Sequence, residues 1–173
     1  MKNTHGVEPP AGTSMGNFRK DCQRYKSMPG YRGMFWWMLD QSFWVILTYR
    51  AIAIAQGRWF HAPLRVFEKF AEFIFKCYVP TTARIGPGLV IYHAFGVIIN
   101  GKSEIGANCT LYARVCIGNR WPGDGTPIIG ANVTIGTGAC IFGPVRIPDN
   151  YTVKANAVIT PSTVLFPRKA PHG

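Results

Sequence analysis

Acidic residues are scarce in this chain. Its 173 residues hold 8 Asp and Glu against 19 Lys and Arg, a formal net charge of +11. The excess is not gathered in one tail. Residues 1–80 carry 11 basic and 5 acidic side chains and the remainder 8 and 3, so the two parts stand at +6 and +5. A single basic arm of the kind that grips nucleic acid is excluded, and nucleic acid is not an expected partner. A long uncharged apolar run is also missing. The best stretch, Met34 to Ile54, is interrupted by Asp40, Gln41 and Arg50, whereas a spanning helix needs about 20 apolar residues with few charges. The N-terminus lacks the apolar core of a secretion signal. Five cysteines, Cys22, Cys77, Cys109, Cys116 and Cys140, form no CxxC pair and are odd in number. That usage fits reduced thiols in the cytoplasm, each expected to be a small buried hydrophobe. No Walker or Rossmann glycine motif is present, which sets aside nucleotide hydrolysis and hydride transfer.

Two regimes are present. Sixteen of 23 aromatic residues lie before position 81, and 13 of 19 glycines lie after it. The division expected is therefore 1–80, a tail and an α-helical region, and 81–173, a second unit of different architecture. Residues 1 to about 30 read as polar and flexible at the start. A helix is expected from about Met34 to Gln56, stopped by Gly57, and another opening near Pro63. In the latter, Pro63, Phe67, Phe70, Ile74 and Cys77 mark one face, and Arg65, Glu68, Lys69, Glu72 and Lys76 the other. The dense aromatics suit a membrane surface or, as the more ordinary reading, packing against the rest of the protein or a second chain.

Beyond Pro80 a six-residue period takes over. Aliphatic residues recur at Ile85, Ile91 and Val97, then at Ile105, Leu111 and Ile117. They resume at Ile129, Ile135, Ile141, Ile147, Val153, Ile159 and Leu165. A period of six is incompatible with an α-helix and leaves no room for helical crossovers. It demands a short strand, a tight turn and another short strand, with the aliphatic residue pointing inward. Three sides make an 18-residue coil, and about four coils follow. The fold class is thus mainly β, a parallel β-helix preceded by helices. The frame breaks after Val97 and after Ile117, which predicts insertions leaving the prism at one edge on adjacent coils. The second break, from Asn119 to Ile128, reads as a protruding loop, where function concentrates.

The segments IGPGLVIYHAFGVIING, IGANCTLYARVCIGNR, PIIGANVTIGTGACIFG and VKANAVIT resemble the hexapeptide-repeat acyltransferases of the left-handed β-helix kind. The chain is most similar to serine acetyltransferases and to their relatives that acetylate bacterial surface polysaccharides, the colanic acid type. The left hand of the coil comes from this resemblance alone. The resemblance implies acetyl-CoA as donor, a hydroxyl acceptor, and a homotrimer with sites between neighbouring chains. The family's histidine motif, DHATG-like, matches Tyr92-His93-Ala94-Phe95-Gly96, which makes His93 the catalytic residue. The chemistry agrees, because a hydroxyl attacking a thioester needs a base near neutral pH. His5 and His172 lie near the ends and His61 between the helices, so only His93 falls within the repeats. A three-histidine metal site is impossible on such coils, and no metal is expected.

For the CoA arm, Gly136, Thr137, Gly138, Ala139, Ala155 and Asn156 match the family's groove. Lys154, Arg168 and Lys169 are the cations expected near its phosphates. For the acceptor, the loop residues Asn119, Arg120, Trp121 and Asp124 suit a sugar ring. Two positions depart from serine acetyltransferases. Thr126 stands before Pro127 where they have a second histidine, and Tyr78 aligns with the carboxylate that orients the base. Glu104 and Asp124 are the carboxylates of the two insertions, Asp124 being a weak candidate for that role.

The expectation is an acetyl-CoA-dependent O-acetyltransferase acting on a sugar of a surface polysaccharide or its precursor. It would work in the cytoplasm, with the inner face of the membrane as a further setting. Serine acetylation and a non-catalytic β-helix binding module are the alternatives.

Overall fold

A computed structural model of the chain describes residues 15–55 and 61–163. Four helices, α1 (Met15–Lys26), α2 (Met34–Met38), α3 (Gln41–Ala55) and α4 (His61–Phe75), precede twelve strands of two or three residues. The strands stack as three parallel four-stranded sheets, the sides of a triangular prism of four coils. The first side is Arg84–Ile85, Glu104–Ile105, Ile128–Ile129 and Arg146–Ile147. The second is Val90–Ile91, Thr110–Leu111, Thr134–Ile135 and Thr152–Val153. The third is Ile98–Ile99, Cys116–Gly118, Cys140–Phe142 and Val158–Ile159.

The hexad aliphatics point inward and stack, Ile105, Leu111, Ile117, Ile135 and Ile141 among them, all nearly or fully inaccessible. Identical columns of branched side chains bury apolar area without voids, at about 25 cal/mol per Å2 removed from water. At the first corner the backbone is left-handed in every coil, at Gly88, Asn108, Asn132 and Asn150. Asn is the non-glycine residue that tolerates this geometry best. Gly106 has another reason: a Cβ there would lie 2.6 Å from the backbone of Gly130 in the next coil.

One expectation about the frame is corrected. Val97 is buried but is not a side of the prism; the third side of coil one is Ile98–Ile99, with Ile99 inward. The first insertion therefore lies before Val97, at the corner between the second and third sides. The second, 119–127, lies between the third and first sides. The two leave at different corners, not at one. Leu165 lies outside the described residues.

The helical region also differs from expectation. The predicted helix from Met34 is two, broken at Leu39 and Asp40, where the Asp40 carboxylate accepts the N–H of Ser42. The start of the chain, expected to be loose, contains α1, and α1 is bolted to the β-helix. Strand N–H groups of coil one donate to coil-two carbonyls (Gly86 to Ile105, Tyr92 to Leu111), so the coil-one strand carbonyls point away from coil two. Donor side chains of the helices meet carbonyls here. Arg50 of α3 bonds those of Ile85 and Gly86, Tyr49 that of Ala83, and Arg24 of α1 that of Gly88 and, in coil two, that of Cys109. Arg50 is buried and paired with the buried Asp21 of α1, at 2.9 and 3.2 Å. Asp21 also accepts the N–H of Leu89. Burial pushes the Asp21 carboxyl up, while Arg50 and the backbone donors pull it down.

The other cysteine expectation is met in part: Cys77 and Cys109 are buried, whereas Cys22, Cys116 and Cys140 are half-buried. Burial pushes the Cys77 thiol up to about 12.

Removing one partner of a buried pair leaves an uncompensated charge, so Asp21→Ala is expected to cost about 3–5 kcal/mol in urea unfolding. The double variant Asp21→Leu/Arg50→Met should cost clearly less than the sum of the two single changes. Gly106→Ala, which drives a methyl into the next coil, is expected to cost about 1–3 kcal/mol in the same measurement.

Candidate active site

The corner between the second and third sides carries His93 and most of the residues expected to hold coenzyme A. Its ladder runs Arg114 N–H to Phe95 carbonyl, Gly138 to Ala113, and Asn156 to Thr137. Phe95, Ala113, Thr137 and Ala155 are thus equivalent, as are the left-handed residues Gly96, Arg114, Gly138 and Asn156. Counting back from this register, the two extra residues of coil one are His93 and Ala94. His93 is itself left-handed, with φ 54°. The insertion therefore pushes the imidazole out of the corner as a bulge. The side chain is exposed and makes no hydrogen bond to another described residue of the chain.

The bulge is held from behind. Ala94 is fully buried and its N–H donates to Ser42 Oγ at the start of α3. The Gly96 N–H donates to the Lys76 carbonyl just beyond α4. Tyr78 bridges to Ile98 and so runs beneath the third side. No carboxylate occupies its position, and nothing among the described residues fixes the ring of His93 within one chain.

Gly136, Thr137, Gly138, Ala139, Lys154, Ala155 and Asn156 all lie on the His93 corner, two and three coils along. At about 4.8 Å per coil, the Thr137 level is roughly 10 Å from the His93 level and the Ala155 level roughly 15 Å. Lys154, Ala155 and Asn156 are exposed. Arg168 and Lys169 lie outside the described residues.

The loop residues are elsewhere. Asn119 accepts from Asn100 and donates to the Trp121 carbonyl. Arg120 pairs with Asp124 at 2.7 Å and covers the Trp121 ring at 4.3 Å. Arg120 holds the Asp124 carboxyl below the usual carboxylate range, and Asp124 raises Arg120 in return. Thr126 Oγ1 donates to the Lys102 carbonyl. The loop is braced by its own polar groups, leaving Trp121 exposed at its tip. A single chain does not bring this loop to His93, because the two sit at different corners. Glu104 pairs with Arg84 on the first side and likewise lies off the His93 corner.

Sequence reasoning missed three residues here. Arg114 is the left-handed corner residue one coil beyond His93, and its aliphatic stem lies against Gly96. Tyr92 stacks on Tyr112, centroids 5.1 Å apart. These two rings, with Arg24, Met28, Pro29, Thr110 and Thr134, line a groove of about 450 Å3 beside the corner. Aligning coils by the corner rather than by the aliphatic residue would have exposed Arg114 and Tyr112. The groove needed α1.

No family model matches the chain. The serine acetyltransferase of Helicobacter pylori is 34% identical over 116 residues, covering 66% of this chain and 68% of that protein. Among solved structures, serine acetyltransferase from Brucella abortus superposes with a TM-score of 0.74 at 25% identity, covering 83% of this chain and 60% of that one. A second structure of the Brucella abortus enzyme, in complex with coenzyme A, gives 0.70 at 25% identity over 82% and 58%. The chain thus spans about 60% of the length of these solved relatives. The four parallel coils behind an N-terminal helical region are the left-handed β-helix of these enzymes. With its repeat, its corner histidine and this extent of likeness, the chain belongs to the serine acetyltransferase family of hexapeptide-repeat acyltransferases.

Proposed function

We propose that the chain is an acetyltransferase that moves the acetyl group of acetyl-CoA onto a hydroxyl, with His93 as general base. The single observation that carries the reading is the bulge that extrudes His93 at the corner shared with the Gly136–Ala139 and Lys154–Asn156 turns. In the step proposed, an imidazole nitrogen takes the hydroxyl proton as the oxygen attacks the thioester carbon. The tetrahedral intermediate then collapses, the C–S bond breaks, and the imidazolium returns the proton to the CoA thiolate. Gly136, Thr137, Gly138, Ala139, Ala155 and Asn156 would flank the pantetheine arm. Lys154, with Arg114, would meet the phosphates.

We assign a homotrimer. Its support is the outward column of the third side, Tyr78, Ile98, Cys116, Cys140 and Val158, which carries no charged residue, where the first side presents Arg84, Glu104 and Arg146 beside Ile128 and the second Thr110, Thr134 and Thr152 after the buried Val90. Association through that column would bury it beside the His93 corner and let a neighbouring chain supply what one chain lacks. The division of labour proposed is helices in 1–80 and transfer in 81–173. The setting is the cytoplasm.

Serine is the acceptor favoured by the relatives. A sugar hydroxyl is the second reading, favoured by two observations: Thr126 stands where serine acetyltransferases have their second histidine, and Tyr92 stacks with Tyr112 beside the His93 corner. Asn119, Arg120, Trp121 and Asp124 of a neighbouring chain would then border the acceptor.

His93→Ala is expected to lower kcat by about 100- to 10,000-fold while leaving coenzyme A binding by calorimetry within about threefold. Unchanged turnover on the true acceptor sinks the mechanism, and undetectable coenzyme A binding by the parent chain makes it a non-catalytic module. Thiol release in the presence of L-serine, against the same assay with hexose and polysaccharide acceptors, decides between the two readings.

A further inference from the structure

Helix α4 is inside out. Its apolar stripe, Val66, Phe67, Phe70, Phe73 and Ile74, is more than half exposed at every position, reaching 72% at Val66. Among its described side chains Glu68 and Ala71 are buried, against Val45 and Thr48 of α3, with Phe75 half-buried beside them. The face expected to pack inward thus looks to solvent. The α2 segment also presents Phe35, Trp36 and, just beyond its end, Leu39, exposed by 68%, 52% and 65%. A groove of about 440 Å3 runs between Leu39, Gln41 and Trp44 on one side and α4 on the other, where Phe67, Phe70, Ala71, Ile74 and Phe75 line it. The apolar patches of ordinary monomers rarely exceed a few hundred Å2, and larger ones mark a binding surface.

Charge selects the occupant. Each carboxylate in the described helical segment is buried or engaged: Asp21 with Arg50, Asp40 with the Ser42 N–H, Glu72 with Lys69, and Glu68 beneath α4. The cations stand among the exposed rings. The Arg32 guanidinium lies 4.8 Å from the Trp36 ring centre, and the Lys76 ammonium 4.2 Å from that of Phe73. Aromatic rings flanked by cations, with no exposed anion, make an interfacial surface rather than a polar-rimmed protein contact. Pairing with a second copy through the same face would bring together two surfaces that each carry Arg32 and Lys76, in chains of +11 each. Among the described residues no helix is long and apolar enough to cross a membrane.

We propose that the α2–α4 face docks in the headgroup layer of an anionic phospholipid bilayer. The rings enter the acyl boundary, and Arg32 and Lys76 meet lipid phosphates. The inference is independent of the acetyl-transfer chemistry.

The test is sedimentation of the full chain with vesicles of phosphatidylcholine and phosphatidylglycerol, against pure phosphatidylcholine vesicles. Binding is expected to the anionic vesicles, falling several-fold when salt is raised. Phe70→Ser/Phe73→Ser, both at exposed positions, should weaken it at least about tenfold, with circular dichroism unchanged. Trp121→Ser, on the β-helix loop, should bind as the parent does. Failure of the parent chain to sediment with anionic vesicles overturns the proposal, as does equal binding by the double variant. A fall in oligomer size caused by Phe70→Ser/Phe73→Ser, with no vesicle binding by the parent, assigns the face to a second copy instead.

Discussion

A stack of parallel coils has an end, and that end is a row of unpaired backbone groups. In this chain the problem is acute at coil one, whose strand carbonyls point away from coil two. Unpaired buried carbonyls cost free energy comparable to a lost hydrogen bond each. The helical region answers with donors: Tyr49, Arg50 and Arg24, the last two rich in N–H groups and lacking acceptors. Arg50 can be buried only because Asp21 meets it, and Asp21 in turn accepts the Leu89 N–H. The position of α1 and α3 on the prism follows from this one polar plug.

The same requirement reaches the site. Ser42, at the start of α3, takes the N–H of Ala94, and the carbonyl beyond α4 takes that of Gly96. Both bonds hold the two-residue bulge that turns His93 outward. The helices that cap the β-helix therefore also hold the turn that presents His93. Their capping donors come from α1 and α3, and among the described residues the apolar stripe of α4 has nothing to cover it.

The prism divides its functional elements by corner. The histidine and the small-residue turns share one, and the tryptophan loop leaves from another. A triangular cross-section keeps such corners apart within a chain and brings them together only between chains. The apolar third side, adjacent to the histidine corner, is where that approach is proposed.

How much of this was legible in the chain's letters depended on range. Hexad aliphatics are a local signal, and Ile105, Leu111, Ile135 and Ile141 lie inward as their spacing demands, because a period of six admits one closed geometry. His93 was legible through its motif. The frame around it was not, because Val97 is aliphatic and buried in its own right, so the pattern alone placed the insertion after it. Only the interstrand register, Ile98 with Cys116 and Ile99 with Ile117, assigned the extra residues to His93 and Ala94. The helical period of α4 was equally plain, yet which face it buries was a matter of its neighbours. Sequence periodicity determines that a stripe exists; tertiary packing, here of α4 against α3, decides which way it faces.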